Sequence, residues 1–196
     1  MGVFYKISDR QSLEDRNKIF KEVGIISLKN NGFVNSPFNG AWHGEYDKSN
    51  KSYLYQFCRI QQNIYLEILY VSIYGEDNKI NFYLYINELC PKINSINELA
   101  GYEGLPFAMT VKNKSKYMQL RLDDYKGPPL FYMLFKPEYK IGSYYSKSGY
   151  EAEINKLKKL IKLDMENIDD FVKRWHELHT PNITDWEGNI ITKATQ

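Results

Sequence analysis

Three short segments carry side chains that could do chemistry. His176-Glu177-Leu178-His179 sets two imidazoles three residues apart, a spacing that shares one face of a helix. It departs from the zinc-protease pattern, in which the two His are four apart and Glu directly follows the first. Metal ligation also needs three or four converging donors. A solvated helix end is the simpler account, since a His there suits the negative end of the helix dipole, and no metal is expected. In Trp42-His43-Gly44-Glu45, His43 and Glu45 could form a general acid/base pair. Two residues apart on a strand, they would share one face. Catalysis would need a third partner; without one the segment is a polar face beside a core Trp. Arg121-Leu122-Asp123-Asp124 ends in paired carboxylates. With Glu67 on a neighbouring strand, and Lys126, these could converge on Mg²⁺ as in a metal-dependent nuclease. Acidic residues running into Gly127-Pro128 are equally ordinary turn chemistry.

Other motifs are missing. The chain has no GxGxxG, no Gly-Lys-Ser/Thr phosphate loop, no Gly-x-Ser-x-Gly elbow and no paired CxxC, so no nucleotide or other cofactor is expected. Lys156, Lys158, Lys159 and Lys162 make a basic stretch, the kind that can meet a membrane or nucleic acid. Glu166, Asp169, Asp170 and Glu177 follow with the opposite sign, which reads as internal charge balancing. Tyr83 and Tyr85 could stack bases, but they lack a basic surround.

The elements that would position these residues follow from periodicity. Strand-forming runs begin at Tyr53–Ile60 and continue through Ile64–Tyr74, Ile80–Ile86, Phe107–Val111, Tyr117–Leu122 and Leu130–Phe135, each rich in β-branched and aromatic residues. Ala41–Tyr46 is a further strand candidate. Gly75-Glu76-Asp77-Asn78-Lys79 reads as a hairpin turn, and Lys112-Asn113-Lys114-Ser115 as a second. An N-terminal helix is predicted from Ser12, with Leu13, Phe20, Val23 and Ile26 on one face and Asn30-Asn31-Gly32 as its stop. Pro91–Pro106 fits a short helix or a surface loop. Ser148-Gly149-Tyr150-Glu151 has the form of a capping box opening a helix whose buried face is Ile154, Leu157, Leu160 and Ile161. Another helix starts near Asn167, and Asp185–Asn189 is a turn. Strands that follow one another without helical crossovers make an antiparallel sheet. The expectation is one α+β domain over residues 1–196: about six mostly antiparallel strands, with an N-terminal helix and two C-terminal helices packed on them.

Composition narrows the function classes. Hydrophobic residues make up 43% and charged residues 26%, a globular balance. A net charge of +2 and a pI near 8.3 fall short of the basic footprint of a nucleic-acid binder, so no nucleic-acid partner is expected. No apolar run nears the roughly 18 residues that span a bilayer, so no membrane partner is expected either. Met1–Ile7 lacks the basic region and long apolar core of a signal peptide. Cys58 and Cys90 are too few for a disulfide framework, and reduced thiols in a cytoplasmic protein are expected. The anomaly is 17 tyrosines. Tyrosine, apolar in body and polar at its tip, suits half-buried sheet faces and protein interfaces.

The leading helix ending at Asn31-Gly32-Phe33, then Trp42, then the hairpin region Tyr53–Ile86, resembles bacterial toxin-immunity proteins. The resemblance covers the first half of the chain. It implies an immunity or inhibitor protein that blocks a cognate toxin domain by occlusion. Inhibitors of nuclease toxins are often acidic; this chain is not, which implies a toxin that is not strongly basic. Trp42, Tyr46 and Trp186, each near a predicted loop or turn, are candidate partner-binding anchors. The alternatives are an enzyme, either a metal-dependent nuclease or a small hydrolase, that uses some of His43, Glu45, Glu67, Asp123 and Asp124, and a small-molecule sensor with a pocket in its curved sheet. Homodimerisation through a sheet edge is compatible with all three.

Overall fold

Three long strands organise the molecule because their residues alternate between two buried faces. A computed structural model describes residues 5–104, 107, 116–124 and 138–191. Strands β3 (Ser52–Gln61), β4 (Tyr65–Tyr74) and β5 (Asn81–Leu89) form an unbroken antiparallel meander. Its register runs Ser52↔Tyr74 through Gln61↔Tyr65, then Tyr65↔Glu88 through Ser72↔Asn81. Short strands complete both edges. β1 (Val34–Asn35) and β2 (His43–Asp47) divide the free edge of β3. β6 (Tyr117–Gln119) and β7 (Asn182–Thr184) divide that of β5, with β7 parallel. The predicted α+β class and mostly antiparallel sheet are what the structure has. The sheet has seven strands among the described residues, against about six expected. β1 and β7 are too short to carry a periodic signal. The predicted strand Leu130–Phe135 lies outside the described residues, as does Phe107–Val111 apart from Phe107.

One face of the sheet carries the helices. α1 (Asp9–Ile19) and α2 (Ile25–Asn30) form a single run interrupted by a π-helical turn at Phe20–Gly24. Ser8 caps α1 by accepting from Gln11 N at 3.1 Å, so the helix starts one turn before the expected Ser12. A Cβ on Gly24 would lie 2.4 Å from the Phe20 ring and 3.3 Å from Ile161. Glycine there lets this run press against α3 (Lys147–Glu166). α3 is capped by Ser146, not Ser148: Ser146 Oγ accepts from Gly149 N at 3.1 Å. α4 (Ile168–Leu178) follows at once across Asn167. Phe20 is the hub of the core, meeting Tyr55, Phe57 and Phe82 edge-on at 5.0, 6.1 and 5.7 Å. Each such pair adds about 1 kcal/mol beyond its burial.

A buried cation ties α1 to the sheet. Arg16 is fully buried. Its guanidinium donates to Ser12 O at 3.1 Å, Lys79 O at 2.6 Å and Tyr74 O at 3.1 Å. It thereby holds both ends of the β4–β5 turn.

Segments 36–42 and 90–104, together with Phe107, pack on the opposite face. Phe38 stacks on Phe107 at 5.3 Å, and Ile93 and Leu99 pack with Leu66, Ile68 and Leu89. Residues 96–99 form a 3₁₀ turn with a Ser95–Glu98 capping box. No helix among the described residues is long and apolar enough to cross a membrane.

Candidate functional site

The side chains with chemical potential go to separate networks. Glu67, 2% exposed, faces its cross-strand neighbour Arg59. Arg59 Nε donates to Glu67 Oε2 at 2.8 Å, Nη1 to Asn31 O at 2.9 Å and Nη2 to Asp169 Oδ1 at 2.7 Å. The guanidinium also lies 4.6 Å from the Phe33 ring centre. Burial pushes the Glu67 carboxyl up and Arg59 pulls it back. The group therefore joins β3, β4, the end of α2 and the first turn of α4 as a structural tie.

His43 and Glu45 do not occupy successive same-face positions. Residues 44 and 45 bulge out of the ladder between His43↔Tyr55 and Tyr46↔Tyr53. Gly44 has φ 88°, and a Cβ on it would sit 2.0 Å from the Tyr55 ring. The Glu45 carboxylate folds back to accept from His43 N at 3.3 Å. Asp123 caps its own turn, accepting from Gln119 N at 2.7 Å. Asp124 lines a surface cleft of about 490 Å³ between α3 and α4, with Leu163, Phe171 and Arg174. Asp164 in its wall is gripped by Arg121 through two nitrogens, while Tyr139 donates to the same carboxylate at 2.7 Å. Lys126 lies outside the described residues. His176 and His179 both pack edge-on against Trp175, at 5.5 and 5.1 Å, and burial lowers the His176 pKa. Among the described residues no three or more His, Cys, Asp or Glu are grouped to hold a metal. The lysines of α3 are largely answered locally: Lys158 binds Glu22 at 2.7 Å, and Lys156 binds Glu153.

The three candidate anchors lie on both sides of the sheet. Trp42 is half-buried and meets Tyr70 edge-on at 5.4 Å. Trp186 donates from Nε1 to Pro91 O at 2.8 Å and packs on Tyr102 at 6.2 Å. Both belong to the cover of the outer face. Tyr46, 43% exposed, pairs with Tyr53 at 5.3 Å on the helix side.

What unites the outer face is its neutrality. The register assigns to it Ser52, Leu54, Gln56, Cys58 and Ile60 of β3, and Leu66, Ile68, Tyr70, Ser72 and Tyr74 of β4. From β5 and β6 come Asn81, Tyr83, Tyr85, Asn87, Leu89, Tyr117 and Gln119. None is charged. The charged residues of these strands, Arg59, Glu67 and Glu88, all alternate to the helix side. A chain of rings crosses the face: Trp42–Tyr70, then Tyr70–Tyr83 at 6.4 Å, Tyr83–Tyr117 at 5.8 Å and Tyr117–Tyr85 at 5.7 Å. Tyr70 and Tyr85 form its floor at 7% and 9% exposure, while Tyr117 and Tyr74 stand out at 49% and 37%. Burial pushes the Tyr70 hydroxyl well up and that of Tyr85 up to about 12, so neither ionises at neutral pH. Gln56, 4% exposed, leaves its Nε2 without a partner. Sequence reasoning saw the tyrosines but not this segregation, because parity can be compared across strands only once the turns have set the register.

No protein-family model, curated protein or solved structure matches the chain.

Proposed function

We propose that the chain is a binding protein that docks a partner protein on its outer sheet face and, as an immunity-type inhibitor, covers that partner's working cleft. One observation carries the reading: strands β3 to β6 place no charged side chain on this face, which is lined by Trp42 and tyrosines. Where the face is open to water, at Tyr74 and Tyr117, tyrosine stands in place of the charge that normally keeps sheet surfaces wet and unpaired. Interface centres show the reverse bias: charged residues are depleted, while tyrosine and tryptophan are enriched. Rings with two torsions present large area at little entropic cost. Of the proposed anchors, Trp42 belongs to this surface, and Trp186 lies in the layer beside it. We place the protein in the cytoplasm, where the unpaired Cys58 and Cys90 are the expected state of thiols.

The test is affinity purification of the tagged chain from its source cells, run in parallel with Tyr117→Glu. Tyr117 is half exposed, so the substitution should leave the melting curve in place. A single stoichiometric protein that copurifies with the native chain and is lost with the variant supports the reading. A partner retained by both moves the interface elsewhere. No partner with either shifts weight to the enzyme and small-molecule readings.

A further inference from the structure

The layer over the outer face is held differently from the helices on the other side. Segment 36–42 leaves and rejoins β3 at one residue: Ser36 N donates to Gln56 O at 3.0 Å, and Gln56 N donates to Trp42 O at 2.9 Å. Segment 90–104 is pinned at its start, where Cys90 N donates to Thr184 O at 2.8 Å and Ile93 N to Asn63 O at 3.1 Å. Beyond these pins the two segments bond to each other. Asn39 N donates to Tyr102 O at 2.9 Å, Gly40 N to Glu103 O at 3.2 Å and Asn39 Nδ2 to Gly101 O at 3.0 Å. Among the described residues, none of 37–41 or 94–104 is hydrogen-bonded to a strand. What joins them to the sheet is apolar packing, in a cluster separate from the core under the helices. Polar atoms are stranded on the same face. Gln56, Asn87 and Thr184, which stands opposite Leu89, are 4%, 4% and 2% exposed, yet Gln56 Nε2, Asn87 Nδ2 and Thr184 Oγ1 have no hydrogen-bond partner. Burial of such groups costs free energy that contact with water returns.

We propose that 37–41 and 94–104 form one flap that swings off the outer face about its pins at Gln56 and Ile93, while β3–β5 and the helices stay folded. Local opening draws on regions with few backbone bonds to the core and a small apolar contact of their own. Opening uncovers Cys58, Leu66 and Ile68, which continue the neutral surface, and lets water reach the stranded polar atoms. The flap stands apart from the docking reading, because Tyr74 and Tyr117 are exposed with the flap closed.

Cys58 is the reporter. It is 0% exposed within the flap's own cluster, and burial pushes its thiol up to about 12, so it is inert until uncovered. Cys90→Ser removes the other cysteine and leaves Cys58 as the single thiol. Its labelling by excess aromatic disulfide reagent is followed across urea concentrations below the unfolding transition. The expected rate is about a hundred times what global unfolding supplies, and nearly flat in urea. Gly104→Ala, added to this background, puts a Cβ 2.2 Å from the Phe38 ring at φ 72° and should speed labelling about tenfold. Ile161→Val, in the core under the helices, should lower the unfolding midpoint and leave labelling unchanged, because the open form keeps that core. Labelling that follows the urea slope of global unfolding, or that speeds up with Ile161→Val, overturns the flap. Labelling that Gly104→Ala leaves unchanged overturns it too, since the thiol is then reached by another route.

Discussion

Replacing Arg59 by methionine tests whether the buried charges are as tightly interdependent as their geometry implies. Methionine keeps most of the stem over Phe33 and removes the guanidinium. Glu67 then remains 2% exposed, with the Arg59 cation that offsets its burial gone. Removing one member of a buried pair costs about 3–5 kcal/mol, because the other is left charged without compensation. The Asp169 contact adds little, since that side chain is 71% exposed. With a urea slope of about 2 kcal/mol per molar, a loss near 4 kcal/mol lowers the unfolding midpoint by about 2 M. Circular dichroism in urea reads it directly.

The pH dependence supplies the sharper half of the test. In the native chain burial raises the Glu67 pKa while the Arg59 charge and hydrogen bond lower it. Without Arg59 only the raising influence is left. The folded-state pKa then rises further above the unfolded value of about 4.3. Within that window the folded state holds a proton that the unfolded state does not. The variant's deficit is therefore full above the raised pKa and shrinks as pH falls toward about 4.3, at up to about 1.4 kcal/mol per pH unit. The gap between native chain and variant should narrow between pH 7 and pH 5. Arg59→Met/Glu67→Leu should recover most of the loss, as an apolar pair can replace a buried ionic one. A deficit under about 1 kcal/mol, or one independent of pH, would refute the argument, since solvent would then be reaching Glu67.

Two further substitutions probe local devices. Arg16→Ala strips the donors from Lys79 O and Tyr74 O; at about 1.5–3 kcal/mol per hydrogen bond to a charged group, a loss of roughly 3 kcal/mol or more is expected in thermal or urea melts, and a change below about 1 kcal/mol would show that water replaces the guanidinium. Gly44→Ala meets both φ 88° and the Tyr55 ring; roughly 2 kcal/mol of destabilisation should appear in the same melts, and an unchanged midpoint would mean that the bulge relaxes freely.

Much of the fold was legible because its signals are local. The strands Tyr53–Ile60, Ile64–Tyr74 and Ile80–Ile86 are long and pure enough that propensity and pairing agree, and the Gly75–Lys79 turn ties two of them together. The helix starts were legible only to within a turn. Ser8 and Ser12 are both plausible caps for α1, as are Ser146 and Ser148 for α3, and the choice rests on which hydroxyl reaches the third amide. β1 and β7 left no trace, because two or three residues cannot show a period. The candidate site was legible as composition but not as geometry. Glu67 and Asp123 read alike as carboxylates near strands, yet one is neutralised inside the molecule and the other caps a turn. The difference depends on Arg59 and Gln119, partners that register alone supplies.

The placement of charge across the sheet ties these points together. Had the outer face been built simply for solvent, Arg59, Glu67 or Glu88 would sit on it, and the helix side would be apolar throughout. Instead all three alternate to the helix side, where Arg59 and Glu67 are buried at a cost that stability does not require. What this arrangement yields is a fixed junction of β3, β4, α2 and α4, and an opposite face on which β3 to β6 place no charge. A neutral tyrosine surface on so rigid a support suits docking, because little order is lost when a partner meets it. The same neutrality would be a liability for a sheet whose edges were long and open. Here the short strands β1, β2, β6 and β7 occupy both edges of the central three, and β6 is itself tied down by Lys116 Nζ donating to Thr180 O at 2.8 Å. With both edges occupied, the proposed docking falls to the face, and Tyr117, 49% exposed, is the residue on which that proposal stands or falls.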